Sequence, residues 1–287
     1  MLVFIFIQLS RLPIKTLYVI STILSFTLNH IVKYRKAAVY RNLNKSFPKL
    51  NEREIKQIAN GFYNYLADIS IETIKLYRLS EKELEHRVVF ENPEILKKYQ
   101  SNNRGVFIMM GHSGNWEWAG AVTSIKFTFK TLPVYRKLKD DSLNQFFTFL
   151  RSRHGGLPTR DKDISNTLLS ENKNLAVAML ADQTPGGRKG WWLSFLNQDT
   201  PFFRGSEILA TRYKNMDVVF AHVNRKKRGY YSISLEMAPS QWRSEPFLLT
   251  KSFARFLETN IKKDPSNWLW SHKRWKHTPN SKSHFID

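Results

Sequence analysis

The sequence predicts an α/β fold: a mixed, partly parallel sheet flanked by helices, with an N-terminal hydrophobic membrane helix. Three short apolar runs, at residues 105–110, 132–135 and 175–180, have the composition of strands that are buried on both faces. Segments with helical spacing of apolar residues alternate with these runs, which indicates a partly parallel sheet. No internal repeat and no linker rich in Gly, Ser or Pro divides the chain, so we expect one main domain after the amino-terminal segment.

The first 34 residues predict a membrane-anchoring segment. Met1–Ser10 carries no charge, and Leu17–Val32 is uncharged up to Lys33. At about 1.5 Å per residue the second run is short for a hydrocarbon core of about 30 Å, so spanning the membrane and lying in its interface both stay open. Five basic residues between 33 and 45 follow the run and only Arg11 and Lys15 precede it, which predicts that the main body lies on the cytoplasmic side.

Cap signals locate further elements along the chain. Asn51 and Glu54 have the spacing of a capping box, and the apolar residues at 55–69 then fall on one face of a long helix. The other elements predicted from spacing and breakers are a helix over 143–150 capped by Asp140 or Asp141, strands at 218–223 and 230–237, and a helix that opens at Thr250 and ends before Pro265.

Charge and composition narrow the chemistry. The 287 residues carry a formal net charge of +21, which favours acidic partners such as nucleic acid, anionic lipid head groups, phosphorylated substrates or an acidic carrier protein. Hydrophobic residues make up 42% of the chain, enough for a substantial core. The chain has no cysteine, which excludes disulfides, thiol nucleophiles and Cys-ligated zinc.

The segment after the first apolar run combines a histidine, a tight turn and a glutamate. His112 follows the predicted strand, Gly114 permits a turn, and Glu117 lies in the first turn of the next helix. A carboxylate that accepts a hydrogen bond from one ring nitrogen would set the imidazole up as a general base. The spacing alone leaves an alternative open, namely a capped helix start with a structurally satisfied histidine.

Other catalytic motifs fit less well. Ser113 misses the nucleophile elbow G-x-S-x-G, because Asn115 stands where the last glycine should be. The sequence contains neither a P-loop nor a G-x-G-x-x-G fingerprint, and no His, Asp or Glu cluster has the spacing of metal ligands. We therefore expect no metal site.

Several ordered motifs resemble the bacterial lipid A biosynthesis acyltransferases, the lauroyl and myristoyl transferases, within the H-x₄-D/E lysophospholipid acyltransferase superfamily. The block from His112 to Glu117 is similar to the H-x-x-N-W-E catalytic block of this family. Glu117 in place of Asp separates the chain from the glycerol-phosphate acyltransferase branch. The further matching pieces, in the family's order, are Asn42-Leu43 to Phe47-Pro48, Tyr135-Arg136, Asp182-Gln183, Phe195 to Gly205, and Pro265 to Lys276. The resemblance covers nearly the whole chain and implies a glycerol-phosphate-acyltransferase-like fold, with residues 35–287 as the acyltransferase domain.

The resemblance implies transfer of a fatty acyl group from an acyl carrier protein thioester to a hydroxyl of a lipid A precursor. His112 would then deprotonate the hydroxyl and Glu117 would orient His112. No cofactor is implied beyond the thioester co-substrate, because the thioester is already activated. An alternative with the same His/Glu pair is an O-acyltransferase that acts on another lyso-lipid or an aminolipid.

The remaining candidate site residues are expected to bind substrate. Arg136 follows a strand, where it would hold a phosphate or an oxyanion, although a surface ion pair is an alternative. The Arg204-Gly205 backbone precedes a helix near Ser206, where N–H groups can receive an anion. Asn115, Asp182 and Gln183 complete the predicted substrate-binding set, with capping or loop hydrogen bonds as the alternative for the last two. Arg160, Arg188 and Lys189 would add to a surface for anionic substrates, although scattered basic residues are more often solvated.

The carboxyl-terminal run from Trp268 to Lys276 interleaves aromatic and basic residues. This pattern suits nucleic acid, but it equally suits a membrane interface, where Trp lies at the head-group level. Next to an apolar amino terminus the membrane is favoured. The predicted partners are therefore acyl carrier protein, an anionic lipid acceptor and the membrane, without nucleic acid, at the cytoplasmic side of the inner membrane.

Overall fold

The structure, a computed structural model, describes residues 1–170, 174–185 and 190–286. Its α-helices are, in chain order, α1 (Leu2–Ser10), α2 (Ile14–Phe26), α3 (Lys36–Ser46), α4 (Glu52–Leu76), α5 (Glu81–Arg87), α6 (Glu94–Ser101), α7 (Trp116–Lys126), α8 (Asp141–Ser152), α9 (Ile164–Ser170), α10 (Gly205–Arg212) and α11 (Leu248–Lys263). Its strands are β1 (Val88–Phe90), β2 (Val106–Met110), β3 (Lys130–Tyr135), β4 (Thr159–Arg160), β5 (Leu175–Leu180), β6 (Gly190–Phe195), β7 (Gln198–Phe203), β8 (Asp217–Lys227), β9 (Tyr230–Met237) and β10 (His284–Phe285).

The predicted mixed sheet is confirmed. Seven strands lie in the order β1-β9-β8-β2-β5-β3-β4, and all neighbouring pairs are parallel except the hairpin β8-β9. β2 and β5 pair in register from Val106 with Ala176 to Met110 with Leu180. These two central strands therefore end side by side, and the residues that follow them are neighbours in space.

Both faces of the central sheet are covered, which explains why its strands are continuously apolar. Alternate side chains of β2 enter two cores: Phe107 and Met109 pack with residues of α4 and α11, while Val106 and Ile108 pack with residues of α7 and α8. Every residue of β2 is buried. A half-exposed strand would instead have shown alternating polarity.

The predicted helix caps are mostly confirmed, with one shifted start. Asn51 and Glu54 form the capping box of α4, and the Asp140 side chain accepts from the Leu143 N–H at the start of α8. α11 begins at Leu248, two residues before the predicted Thr250. The start differs because the Thr250 hydroxyl donates to the buried Glu207 carboxylate and does not cap the helix.

The apolar amino terminus forms two short helices. α1 ends at Ser10 and α2 starts at Ile14, after Pro13, and α2 runs into a π-turn at Thr27–Ile31. The second apolar run, 17–32, is therefore interrupted at Phe26, where α2 ends and the π-turn begins. Within the three described ranges, no helix combines the length and the apolarity that crossing a membrane requires. The prediction of a hydrophobic membrane helix is corrected accordingly.

A second, smaller sheet was not predicted. β6 pairs antiparallel with β7 and parallel with β10, in the order β10-β6-β7. Its sequence signal is weak because Leu196 and Asn197 form the connecting turn with positive φ, so no glycine marks that turn. This sheet brings the Phe195–Gly205 motif to the start of α10.

The fold predicts a loss of stability in acid through His222 on β8. Burial, with some repulsion from Lys263, lowers the pKa of His222 to about 4. Between that value and the ordinary pKa of about 6.5, the unfolded chain binds a proton that the folded chain does not, so stability falls as the pH falls. One such histidine contributes about 1.4 kcal/mol per pH unit in this window. Urea unfolding at several pH values between 4 and 6.5 should show a shallower pH slope for His222→Leu than for the wild type, and an unchanged slope would contradict the assignment.

Candidate active site

His112 and Asp182 meet where β2 and β5 end. The Nδ1 atom of His112 lies 2.6 Å from Asp182 Oδ1, and the His112 backbone N–H donates to Oδ2 at 2.8 Å. The Trp268 indole also donates to Oδ2, at 2.8 Å. The parallel register explains the contact, because Met110 pairs with Leu180 at the ends of the two strands, and His112 and Asp182 each follow two residues later. Asp182 thus accepts three hydrogen bonds and holds the Nδ1 edge of the imidazole ring.

Asp182 is held in its ionised form. Burial acts to raise its pKa, but the charge and hydrogen bonds of His112, together with the Trp268 hydrogen bond, outweigh burial and lower the pKa to about 2. The Asp182 carboxylate reaches the His112 N–H next to residue 111, which is glycine. A Cβ at residue 111 would lie 2.5 Å from Leu257 Cδ1 and 3.3 Å from Asp182 Oδ2. The close approach therefore depends on Gly111.

The second ring nitrogen of His112 faces a cavity. Gln183 Nε2 lies 3.2 Å from His112 Nε2, and both residues line the cavity. A neutral imidazole that donates its Nδ1–H to Asp182 carries its lone pair on Nε2. Trp116 packs edge-on against the ring, with 4.9 Å between centroids. His112 therefore presents a proton acceptor to whatever occupies the cavity.

Glu117 does not make the expected hydrogen bond to His112. In the part of the chain that the structure describes, the ring nitrogens have Asp182 and Gln183 as partners. The Glu117 carboxylate instead accepts two hydrogen bonds from Arg151 of α8, at 2.6 Å and 3.0 Å. The expectation of a direct His–Glu contact is corrected: the first turn of α7 directs Glu117 toward α8, while the strand register brings Asp182 to the imidazole.

The Glu117–Arg151 pair is nevertheless part of the cavity wall. Both residues line the cavity, and the Arg151 guanidinium lies over the rings of Tyr135 and Phe147 at 5.5 Å and 5.6 Å. Burial opposes the charge of Arg151, but the Glu117 carboxylate outweighs it and raises the pKa of Arg151. The two charges therefore stabilise each other inside a mainly apolar surround.

Replacing Arg151 by methionine is expected to lower the free energy of unfolding by about 3 kcal/mol, because the buried Glu117 carboxylate loses its charge partner. Urea-induced unfolding measures the loss. The double variant Glu117→Gln, Arg151→Met removes both charges and should recover most of the stability. A double variant no more stable than Arg151→Met would show that packing of the arginine stem, not its charge, is what matters.

The cavity has a volume of about 810 Å³, within the range of small-molecule sites. Its deeper lining is largely apolar, and basic side chains lie at its mouth. Arg136 is 74% exposed there and pairs with Asp161 at 3.1 Å. Gly205, the first residue of α10, also lines the cavity, and a Cβ on it would meet open space. An apolar chain attached to an anionic group fits this arrangement.

Other predicted site residues lie outside the cavity lining. Asn115 is buried: its amide accepts from Trp118 N–H at 3.0 Å and donates to Glu72 at 2.8 Å. Arg204 precedes α10 and lies over the Trp191 ring at 5.5 Å. Arg160 pairs with Asp163. Arg188 and Lys189 lie outside the described residues.

The carboxyl-terminal aromatic run is not an interface. Trp268, Trp270 and Arg274 are all buried, and Trp268 supports Asp182 from behind. The expectation that this run faces the membrane is therefore wrong for these residues, whereas Lys273 and Lys276 are exposed. Trp, being large and apolar, suits a core as well as an interface, so composition alone did not separate the two.

Sequence reasoning missed the supporting residues of the site. Arg151, Trp268 and Glu72 contact residues that are distant along the chain, by 34, 86 and 43 positions for the hydrogen bonds described above. No local motif marks such partners. The one available signal was the spacing of Asn60, Asn64, Asp68 and Glu72, which places four polar side chains on one face of the predicted long helix.

The chain is similar over nearly its whole length to proteins of lipid A synthesis. Residues 1–277 match the family described as bacterial lipid A biosynthesis acyltransferase. The lipid A biosynthesis acyltransferase of Haemophilus influenzae is 18% identical over 272 residues, which cover 93% of this chain and 84% of that protein. The lipid A biosynthesis palmitoleoyltransferase of Escherichia coli is 23% identical over 282 residues, which cover 94% of this chain and 88% of that protein.

Proposed function

Because the chain belongs to the bacterial lipid A biosynthesis acyltransferase family, we propose that it transfers a fatty acyl chain from an acyl carrier protein thioester to a hydroxyl of a lipid A precursor. Membership of the family makes the chain an acyltransferase. The observation that carries the finer proposal is the His112–Asp182 pair, in which His112 lines a largely apolar cavity with its Nε2 next to the Gln183 amide.

In the proposed mechanism His112 is the general base. Its Nε2 accepts the proton of the acceptor hydroxyl while the hydroxyl oxygen bonds to the thioester carbonyl carbon. The carbon–sulfur bond then breaks, and the departing thiolate takes the proton from the imidazolium. Asp182 stabilises the imidazolium and holds its tautomer. The thioester is already activated, so the proposal invokes neither a metal nor a nucleotide.

Two cavity residues are suited to the oxyanion that forms on the carbonyl. Gln183 places an amide group 3.2 Å from His112 Nε2, next to the reacting atoms. Arg151 uses two of its five N–H groups on Glu117, and the others are suited to a substrate oxygen. Glu117 thus keeps a role in the proposed site, by fixing the Arg151 cation and not by touching the imidazole.

The cavity mouth suits a lipid that carries an anionic group. Arg136 and Arg212 line it together with Leu138 and Ile208, two apolar residues that are 41% and 46% exposed. A guanidinium pairs well with phosphate, and exposed apolar side chains favour acyl chains beside it. The same cations, within a chain of net charge +21, would attract an acidic acyl carrier protein.

The amino-terminal helices support docking on the membrane surface. Exposed apolar residues of this segment include Phe4, Val19, Ile23, Ile31 and Val32, each more than half exposed. An apolar surface of this extent suits the interfacial region of a bilayer. α1 packs on α8, with the rings of Phe6 and Phe146 at 5.6 Å, and α8 also lines the cavity. This contact supports a cavity that lies next to the lipid, and the basic residues at 33–45 favour the proposed cytoplasmic side of the inner membrane.

The proposal is tested by reconstituting purified protein with phospholipid vesicles. Acyl carrier protein and coenzyme A thioesters serve as alternative donors, and a lipid A precursor and a lysophospholipid serve as alternative acceptors. Mass spectrometry of the lipids identifies the product, and His112→Ala provides the background. We expect an acyl increment on the lipid A precursor with the carrier-protein donor.

Each arm of this experiment has a distinct meaning. Acylation of the lysophospholipid alone would replace the proposed acceptor by another lyso-lipid. Transfer from coenzyme A alone would overturn the proposed donor. Transfer that persists at wild-type rate in His112→Ala would overturn the proposed base.

A further inference from the structure

α2 directs polar side chains toward the protein and apolar side chains toward the solvent, unlike an ordinary surface helix. Two of its three buried residues are polar, Ser21 and Ser25, the third being Leu17, and Asn29 continues the polar face in the π-turn. Its exposed residues include the apolar Val19 and Ile23. The polar face lies against a stripe of polar residues that recur every fourth position along α4. The side-chain hydrogen bonds are Asn29 to Asn60 at 2.9 Å, Ser25 to Asn64 at 2.7 Å, Ser21 to Asp68 at 2.5 Å and Tyr18 to Glu72 at 2.8 Å.

The last member of the stripe, Glu72, reaches the turn that carries His112. Glu72 is fully buried, and its carboxylate accepts from the Tyr18 hydroxyl at 2.8 Å, from the Tyr231 hydroxyl at 2.7 Å and from the Asn115 amide at 2.8 Å. Burial raises the pKa of Glu72, and the hydrogen bonds from Tyr231, Asn115 and Tyr18 oppose that rise. A buried carboxylate with three donors is a fixed point, because losing any donor leaves polar atoms unsatisfied.

Asn115 passes this support to the catalytic turn. Asn115 lies three residues after His112. Its side-chain oxygen accepts a hydrogen bond from the Trp118 N–H at 3.0 Å and so caps the start of α7. The turn between them contains Gly114 at a φ of 57°, where a Cβ would lie 2.3 Å from the Val223 carbonyl oxygen. The Tyr65 hydroxyl, also from α4, donates to the Gly114 carbonyl at 2.9 Å. The turn is thus anchored from behind by α4.

We propose that Glu72 is a positioning residue for His112, that it acts through Asn115, and that Tyr18 makes α2 part of this support. The inference rests on the proposed role of His112 as base. Misplacement of a catalytic group by about 1 Å costs on the order of 10²-fold in rate, so a loosened turn should lower kcat. α2 would then serve catalysis as well as membrane docking.

The test compares tyrosine-to-phenylalanine variants in detergent, with a soluble acceptor, so that membrane binding does not contribute. Tyr18→Phe removes the hydrogen bond to Glu72 and should lower kcat about fivefold, with KM unchanged. Tyr63→Phe is the matched control: it removes a 2.9 Å hydrogen bond from α4 to the Tyr34 carbonyl, in the same amino-terminal region but without a link to Glu72. We expect it to lose stability similarly and to keep its kcat. Ser25→Ala removes the hydrogen bond to Asn64, which lies about two helical turns from Glu72 on α4, and should also keep its kcat.

A Glu72→Gln variant extends the test. It should lower kcat more than tenfold, and its combination with Tyr18→Phe should lower kcat by less than the product of the two single effects, because both act on one path. A kcat that stays at the wild-type level in Tyr18→Phe and Glu72→Gln, or that falls equally in Tyr63→Phe, would overturn the inference.

A second readout is independent of the reaction. Nitrogen-15 NMR of labelled histidines, with His112 identified through His112→Ala, reports whether its ring remains in one ordered state. We expect the His112 signals to broaden in Glu72→Gln and to stay unchanged in Tyr63→Phe. Wild-type protein without acyl transfer would refute the proposed function, whereas unchanged His112 signals in Glu72→Gln would refute the positioning role.

Discussion

Replacing His112 by alanine is expected to lower the rate of acyl transfer by about 10³-fold. A positioned general base contributes about 10²- to 10⁴-fold, and His112 is the proposed base, with its Nε2 beside the Gln183 amide in the cavity wall. The loss should appear in kcat, since the cavity walls that bind the acyl chain and the lipid remain. Initial rates with a radiolabelled carrier-protein thioester measure it directly.

His86→Ala is the control for this variant. His86 is an exposed histidine of α5 that does not line the cavity, so its replacement should leave kcat unchanged. Unfolding by urea should show that His112→Ala is still folded. An undiminished rate in a folded His112→Ala protein would mean that another group takes the proton from the acceptor.

Replacing Asp182 by asparagine is expected to lower kcat by about 10²- to 10³-fold. The charge that stabilises the imidazolium is lost, and the amide can hold the ring in the wrong tautomer. The carboxylate of Asp182 is ionised down to a pH of about 2 in the folded protein, so its effect on the imidazole is present throughout the working range.

Comparing Glu117→Gln with Asp182→Asn shows which of the two carboxylates orients His112. Glu117 contacts Arg151, so its isosteric replacement should lower kcat only about tenfold, through a less well-held cation. If Glu117→Gln instead loses 10³-fold while Asp182→Asn stays near the wild-type rate, the direct His–Glu pair suggested by the sequence spacing is the functional one.

The sequence alone was sufficient wherever a structural feature is local. The buried strands β2 and β5 appear as continuous apolar runs because both of their faces are covered, and the capping box of α4 appears because its two residues bond each other across one turn. The histidine at the end of β2 was likewise visible, since the end of a parallel strand is a known place for reactive groups.

Features that depend on contacts between distant segments were not visible in the sequence. The aromatic run at 268–276 matched a membrane interface in composition, yet Trp268 and Trp270 pack inside. The apolar run at 17–32 matched a membrane helix, yet α2 ends at Phe26. The same aromatic and apolar residue types occur in a protein core and in a bilayer interface. Only the packing partners of a side chain distinguish these two environments.

The sequence by itself predicted the central strands, several helices, the family and the candidate reactive histidine, because each of these is recorded in residue types at short spacing. Only the tertiary structure decided which carboxylate holds that histidine. His112 and Glu117 are neighbours along the chain, but the register of two parallel strands places Asp182 against the ring, and the helix start turns Glu117 toward Arg151. Strand register is set by the fit of whole sheet faces to their cores, and no short motif contains that information.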